Sequence, residues 1–248
     1  MDMANEESTY MSGEPTQDEE INPGVPKEGW PVLHLFYHLE SDLNRDSAMK
    51  ALKSASGDGY QVVTSALIGH KADFVVMALG PDMLRLRKLQ SELGSCGLSL
   101  VDSYLSITEV SEYAKNLPEE RRLPRLYPVL PPKGMRAFCF YPMSKKREAA
   151  ANWYMLSYED RLKQMAAHGI SGHKFAGRVI QLITGSTGLD AYEWGVTLFA
   201  QRIDDIKDVV YTLRFDEASA KYAEFGQFYV GIVGEPEASL NACIANLE

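Results

Sequence analysis

The stretch Arg136-Ala137-Phe138-Cys139-Phe140-Tyr141-Pro142-Met143-Ser144-Lys145-Lys146-Arg147 carries the side chains best suited to chemistry. At a strand period of two, Ala137, Cys139, Tyr141, Met143 and Lys145 point to one face, and Phe138 and Phe140 to the other. A phenol and an ammonium therefore line one surface with a thioether between them. Such a surface can meet an anion, and a phenol can lose a proton and an electron together, which phenylalanine cannot. Spacing alone favours a plain amphipathic strand with Tyr141 in the core and Lys145 at its rim. Pro142 cannot donate to a ladder, so the strand is expected at an edge or irregular there. The five histidines are scattered: His34 and His38 on a first strand, His70 in a turn, His168 at a helix end before Gly169, His173 in the following Gly-rich loop. A helix-end histidine commonly serves the cap and the dipole. No His/Cys spacing suits zinc. There is also no Walker A loop, no G-x-G-x-x-G and no G-x-S-x-G, which counts against nucleotide and serine-hydrolase chemistry. One imidazole with an open opposite side stays available, and that is the haem arrangement.

The elements that must position these residues come in a repeating order. A strand is predicted over Trp30–Glu40, a short helix over Ser47–Ser54, and strands over Gln61–Ile68 and Asp73–Leu79. A helix opened by Pro81 ends near Gly94, and a strand over Ser99–Thr108 follows. The second half repeats this β-α-β-β-α-β order: strand 136–145, helix 158–168, strands 179–184 and 192–199, helix 203–213 and strand 228–233. The halves align at an offset of 120 residues, with Asp73-Phe74 on Glu193-Trp194, Val76 on Val196, and Met83, Leu86 and Leu89 on Ile203, Ile206 and Val209. Shared order and apolar phase point to a duplication. The fold class expected is α+β, two tandem ferredoxin-like units forming a dimeric-type α+β barrel. The units are placed at 29–112 and 136–248, joined by a connector at 113–135 that reads as a spacer, although connectors of this length are often functional.

Composition bounds the rest. The chain has 248 residues, 45% of them hydrophobic and 24% charged, which is ordinary for a globular protein. Its net charge of −9 is concentrated at the start, where residues 1–28 hold eight acidic residues against Lys27. That segment is poor in large apolar residues and reads as a disordered acidic tail. The remainder is near neutral, so no duplex nucleic acid partner is expected. No apolar run could span a bilayer, no secretory signal opens the chain, and three cysteines form no C-x-x-C pair. A reduced, cytoplasmic setting is expected.

Several long motifs resemble the chlorite dismutase-like superfamily, specifically its coproheme decarboxylases. They are Tyr141-Pro142-Met143-Ser144-Lys145-Lys146-Arg147 followed by Asn152-Trp153-Tyr154, Ala176-Gly177-Arg178-Val179 through Gly185-Ser186-Thr187-Gly188, Glu193-Trp194-Gly195-Val196-Thr197-Leu198-Phe199, and Arg214-Phe215-Asp216-Glu217-Ala218-Ser219-Ala220. The resemblance covers about residues 28–234 and is strongest after Leu126. It implies duplicated ferredoxin-like units in a ring-shaped homopentamer. The implied activity is peroxide-dependent oxidative decarboxylation of two propionates of Fe-coproporphyrin III (coproheme), itself substrate and redox cofactor, to give haem b in haem biosynthesis. By the same resemblance His168 is the proximal iron ligand, with His173 its rival, and Tyr141 the redox-active tyrosine. Lys145 is the charged partner of a propionate, Met143 shapes its pocket, and Gln181 is the distal residue. Ser219 and Arg125 anchor propionates, Arg122 being the alternative to Arg125. The implied partners are hydrogen peroxide, further copies of the chain, and, transiently, coproporphyrin ferrochelatase. Chlorite dismutase chemistry is associated with a distal arginine, and an uncharged Gln181 suits an anionic oxidant poorly. A non-catalytic haem-binding protein is the other alternative, against which the Tyr141/Lys145 pair argues.

Overall fold

In a computed structural model, residues 21–244 are described, so the first twenty residues of the acidic segment lie outside them. The first unit consists of β1 (Pro31–Leu39), α1 (Arg45–Ala55), β2 (Gln61–Leu67), β3 (Phe74–Leu79), α2 (Met83–Gly94) and β4 (Leu98–Thr108). Asn44 and Asp82 cap the two helices through their side-chain oxygens, at 3.0 Å from the Ser47 amide and 2.8 Å from the Leu84 amide. The connector contains a helix, α3 (Glu119–Leu126), which the proline and arginine content of that stretch had masked. The second unit holds β5 (Ala137–Lys145), a small hairpin of β6 (Arg147–Glu148) and β7 (Ala151–Asn152), and α4 (Tyr158–His173). It continues with β8 (Val179–Gly185), β9 (Trp194–Ala200), α5 (Ile203–Leu213), the short α6 (Glu217–Ala220), β10 (Ala223–Phe225), β11 (Tyr229–Gly234) and α7 (Pro236–Ile244). No described helix is long and apolar enough to cross a membrane.

Each unit builds an antiparallel four-stranded sheet of ferredoxin-like order, β2-β3-β1-β4 in the first and β8-β9-β5-β11 in the second. The edges then meet: β4 pairs with β8, β11 pairs with β2, and β5–β9 completes the circuit. The result is an α+β fold whose strands close on themselves, which removes the exposed edges that open sheets must protect. Alternation along the strands supplies the two sides of the wall. Val32, Phe36, Met77, Phe138, Phe140 and Phe199 fill the interior. Leu35, Tyr37, Phe74 and Val76 face outward beneath α1 and α2, while Ala137, Cys139, Tyr141, Val196 and Leu198 face outward beneath α5. The expected two faces of β5 are therefore those observed.

Pro142 falls where the ladder is interrupted. On one side it is opposite Gly195 of β9. On the other it lies between the stretch of β5 paired with β11 and the stretch paired with β10, where only the Gly226 amide reaches its carbonyl, at 2.8 Å. The missing N–H thus leaves no ladder partner unsatisfied.

Candidate active site

His168 does not end its helix, as the sequence suggested: α4 runs on through Gly169 and Gly172 to His173. Two side chains on that last stretch are tied to one carboxylate. His168 Nδ1 lies 3.1 Å from Asp216 Oδ2, and Ser171 Oγ donates to Asp216 Oδ1 at 2.8 Å. Asp216 therefore staples residues i and i+3 across Gly169 and offsets the weak helix propensity of glycine. The chain turns only at Gly177, at a φ of 81° that glycine adopts without strain.

A carboxylate can only accept, so it fixes the proton on His168 Nδ1 and leaves the Nε2 lone pair free. Burial is the main reason that the His168 pKa lies below its usual value, and the Lys145 charge adds to this against the opposing pull of Asp216. The imidazole is neutral at pH 7, the state a metal ligand needs. The other histidines differ. His34 is sealed inside the barrel, its Nε2 3.0 Å from Thr197 Oγ1, and burial pushes its pKa down to about 3. His38 pairs with Asp73 at 3.0 Å. His70 and His173 are exposed.

Tyr141 is 4% exposed and held between aromatic rings, with Phe228 stacked at 4.4 Å and Phe225 tilted at 5.7 Å between centroids. Its hydroxyl has no hydrogen-bond partner among the described residues. Burial raises its pKa well above the ordinary phenol value, so the neutral O–H form persists through the physiological range. Four residues along, Lys145 is 7% exposed. Its Nζ donates to the Ala218 carbonyl and sits 4.4 Å from the centre of the Trp153 ring. Burial lowers its pKa to about 8, although the Glu193 charge pulls the other way. The Glu193 carboxylate also accepts from the Lys145 amide at 2.8 Å, which ties β5 to the entrance of β9.

The geometry thus gathers His168, Lys145 and Ser219 around α6: Asp216 precedes it, and Ala218 and the buried Ser219 belong to it. Tyr141 and Met143 share the strand face with Lys145, and Met143 is opposite both Trp194 and Phe225. Gln181 lies in the row Gln181–Leu198–Cys139 and Ile183 in the row Ile183–Val196–Tyr141. That puts Gln181 on the same sheet face, two strands or about 10 Å from Cys139. Both Gln181 and Ile183 are exposed. The outcome is a partly open apolar surface flanked by a free imidazole nitrogen, a phenol and an ammonium.

Arg125 lies on α3, in the connector rather than on the elements that carry this group. It is exposed on α3, its guanidinium folds back onto the Arg121 carbonyl, and α3 is anchored to the first unit through Leu126 and Thr108. Arg122 pairs with Glu28 at 3.6 Å. Sequence reasoning did not single out Asp216 or Glu193 individually, although both fall inside quoted motifs. Each acts on a partner 48 residues away, and no local spacing signals that.

Comparison with known proteins gives the arrangement its family. A family model described as chlorite dismutase matches residues 44–234. The chain belongs to the chlorite dismutase family. Among solved structures, a protein from Thermus thermophilus described as a novel haem-binding protein is 36% identical, with a TM-score of 0.78 over 88% of this chain and 96% of that one. A putative chlorite dismutase is 20% identical, with a TM-score of 0.68 over 84% and 96% of the two chains. The chlorite dismutase of Candidatus Nitrospira defluvii in complex with imidazole is 16% identical, with a TM-score of 0.70 over 88% and 96%. These last two share the fold.

Proposed function

We propose that this protein is a coproheme decarboxylase, which binds Fe-coproporphyrin III and, with hydrogen peroxide as oxidant, converts two of its propionates to vinyl groups to give haem b. One observation carries the reading: a buried phenol with a free hydroxyl shares a strand face with a buried amine, beside a neutral imidazole whose Nε2 is unused. The haem-binding relative from Thermus thermophilus supports a porphyrin as the occupant. The donor set fits one: His168 for the iron, the exposed Ile183 for apolar contact with the ring, and Lys145 and Ser219 for carboxylates.

When bound, the iron porphyrin supplies the redox centre at which peroxide is reduced. Each conversion removes two electrons and a proton from an arm and releases carbon dioxide. One peroxide, taking up those electrons and two protons, becomes two waters. Asp216 holds the proton on His168 Nδ1, so that Nε2 always presents its lone pair. Tyr141 Oη would give up its proton and an electron, the electron passing to the iron centre, and would take back a hydrogen atom from the arm; the arm's second electron would pass to the same centre as carbon dioxide leaves. Phe225 and Phe228 hold the phenol upright and keep water from it. Lys145 Nζ, with a pKa of about 8, can hold a carboxylate as the ammonium or release a proton close to neutral pH. Gln181 offers an uncharged amide on the open side of the face, which accommodates neutral peroxide better than an anionic oxidant.

Titrating the coproheme complex with peroxide and weighing the porphyrin by mass spectrometry tests the reading. Two successive losses of a carboxyl group are expected. An unchanged porphyrin mass, with oxygen released from chlorite instead, would transfer the assignment to chlorite dismutation.

A further inference from the structure

Arg214 is a charged residue beside Tyr141 with no role so far. It follows the last residue of α5, and its guanidinium carbon lies 3.9 Å from the centre of the Phe225 ring, the ring that flanks Tyr141. Arg85, Arg122, Arg161, Arg178 and Arg202 are each paired with a carboxylate. The Arg214 side chain has no such partner and donates no hydrogen bond among the described residues. It is exposed, yet close enough that its charge favours ionisation of the Tyr141 phenol, against the larger effect of burial. Stacking on an aromatic face leaves the N–H edge of a guanidinium free for a planar, two-pronged acceptor.

We propose that Arg214 is a specificity-determining anchor, which grips the carboxylate of the porphyrin arm that Tyr141 oxidises. The inference rests on the coproheme reading above. Its chemical logic is that hydrogen abstraction needs the arm held still, and Tyr141 itself has only one hydroxyl to offer. Lys145 cannot perform this task for the same arm: it is four residues along the strand, about 13 Å away, and its Nζ is turned toward Ala218 and Trp153. Two cations so placed suit a ligand with several carboxylates spread around a rigid rim. They leave each reacting arm with its own counter-charge.

The test is a peroxide-free titration of the whole protein with iron coproporphyrin III and with its tetramethyl ester in the same detergent buffer, followed by the porphyrin absorption band. Arg214→Met keeps the stem on Phe225 without the charge, and Arg214→Lys keeps the charge without the fork. The tetra-acid is expected to bind roughly tenfold more weakly to the Met variant and to an intermediate degree to the Lys variant. The ester should bind all three proteins alike, with an unchanged His168-ligated spectrum. Equal affinity of wild type and Arg214→Met for the tetra-acid would overturn the anchor. An equal loss for acid and ester would also overturn it, because that marks a packing role. Peroxide then separates this inference from the one beneath it. If wild type binds the tetra-acid selectively through Arg214 but leaves it intact, the anchor stands and the decarboxylase reading falls. If wild type decarboxylates and Arg214→Met binds unchanged, the reverse holds.

Discussion

At the scale of single residues, the site depends on charges kept where water would normally support them. Lys145 titrates near 10.5 when unfolded and at about 8 in the folded protein because burial penalises its charge. Between those values the unfolded chain binds more protons, so stability rises with pH from 8 to 10.5. It is fully present above 10.5 and lost as pH falls through 8. Lys145→Met should therefore flatten this rise and stabilise the protein at pH 7 by roughly 1–3 kcal/mol, after allowing for the lost contacts to Ala218 and Trp153. Urea unfolding of both proteins at pH 7 and pH 10 measures it; a parallel slope in the variant would show that Lys145 is not the group responsible. Asp216 acts on its neighbour rather than on a ligand directly. Asp216→Leu removes the acceptor that orients His168 and should lower coproheme affinity about 10–100-fold. An unaltered titration would mean that His168 needs no support.

The elements show what a sequence does and does not reveal. The alternation of Ala137, Cys139, Tyr141 and Met143 against Phe138 and Phe140 is a local property, and the faces it implies are the faces found. The sequence places the end of α4 at His168, because Gly169 and Gly172 look like a stop, whereas the helix reaches His173. The ties from His168 and Ser171 to Asp216 carry the helix through them. A β-carbon built on Gly169 meets nothing within 4 Å outside the helix. Gly169→Ala should thus raise the stability of the porphyrin-free protein by about 0.5–1 kcal/mol through helix propensity alone, visible as a higher melting temperature. A lower one would mean that glycine is required at that turn. Gly226 is the opposite case, since an added β-carbon would come within 2.5 Å of Pro142 Cγ.

For the whole molecule, the duplication was legible because the offset of 120 residues repeats both apolar phase and element order: β3 and β9, and α2 and α5, begin 120 residues apart. The closure was expected only in outline. Which edges meet, β4 with β8 and β11 with β2, depends on pairing across the two units, and no local pattern encodes it. The same holds for the site, where Lys145 reaches Ala218 across 73 residues. Large apolar side chains remain uncovered on the second unit, among them Met155 at 81%, Ile170 at 70% and Phe215 at 72% exposed. Exposed apolar side chains of this size are available for contact with further copies of the chain. A homopentamer is what the sequence resemblance implies, and it remains the proposal to be tested. Light scattering should give a mass five times the 27.7 kDa of one chain; a monomer at micromolar concentration would refute the ring.

In the proposed reaction Tyr141 transfers hydrogen rather than merely filling space beside the porphyrin. Replacing it with phenylalanine keeps the ring between Phe225 and Phe228 and removes only the hydroxyl. Single-batch peroxide titrations of the wild-type and Tyr141→Phe coproheme complexes, read by porphyrin mass, give the most direct answer. The variant is expected to bind coproheme near-normally and to yield no vinyl product; vinyl formation at the wild-type rate would rule out hydrogen transfer by Tyr141.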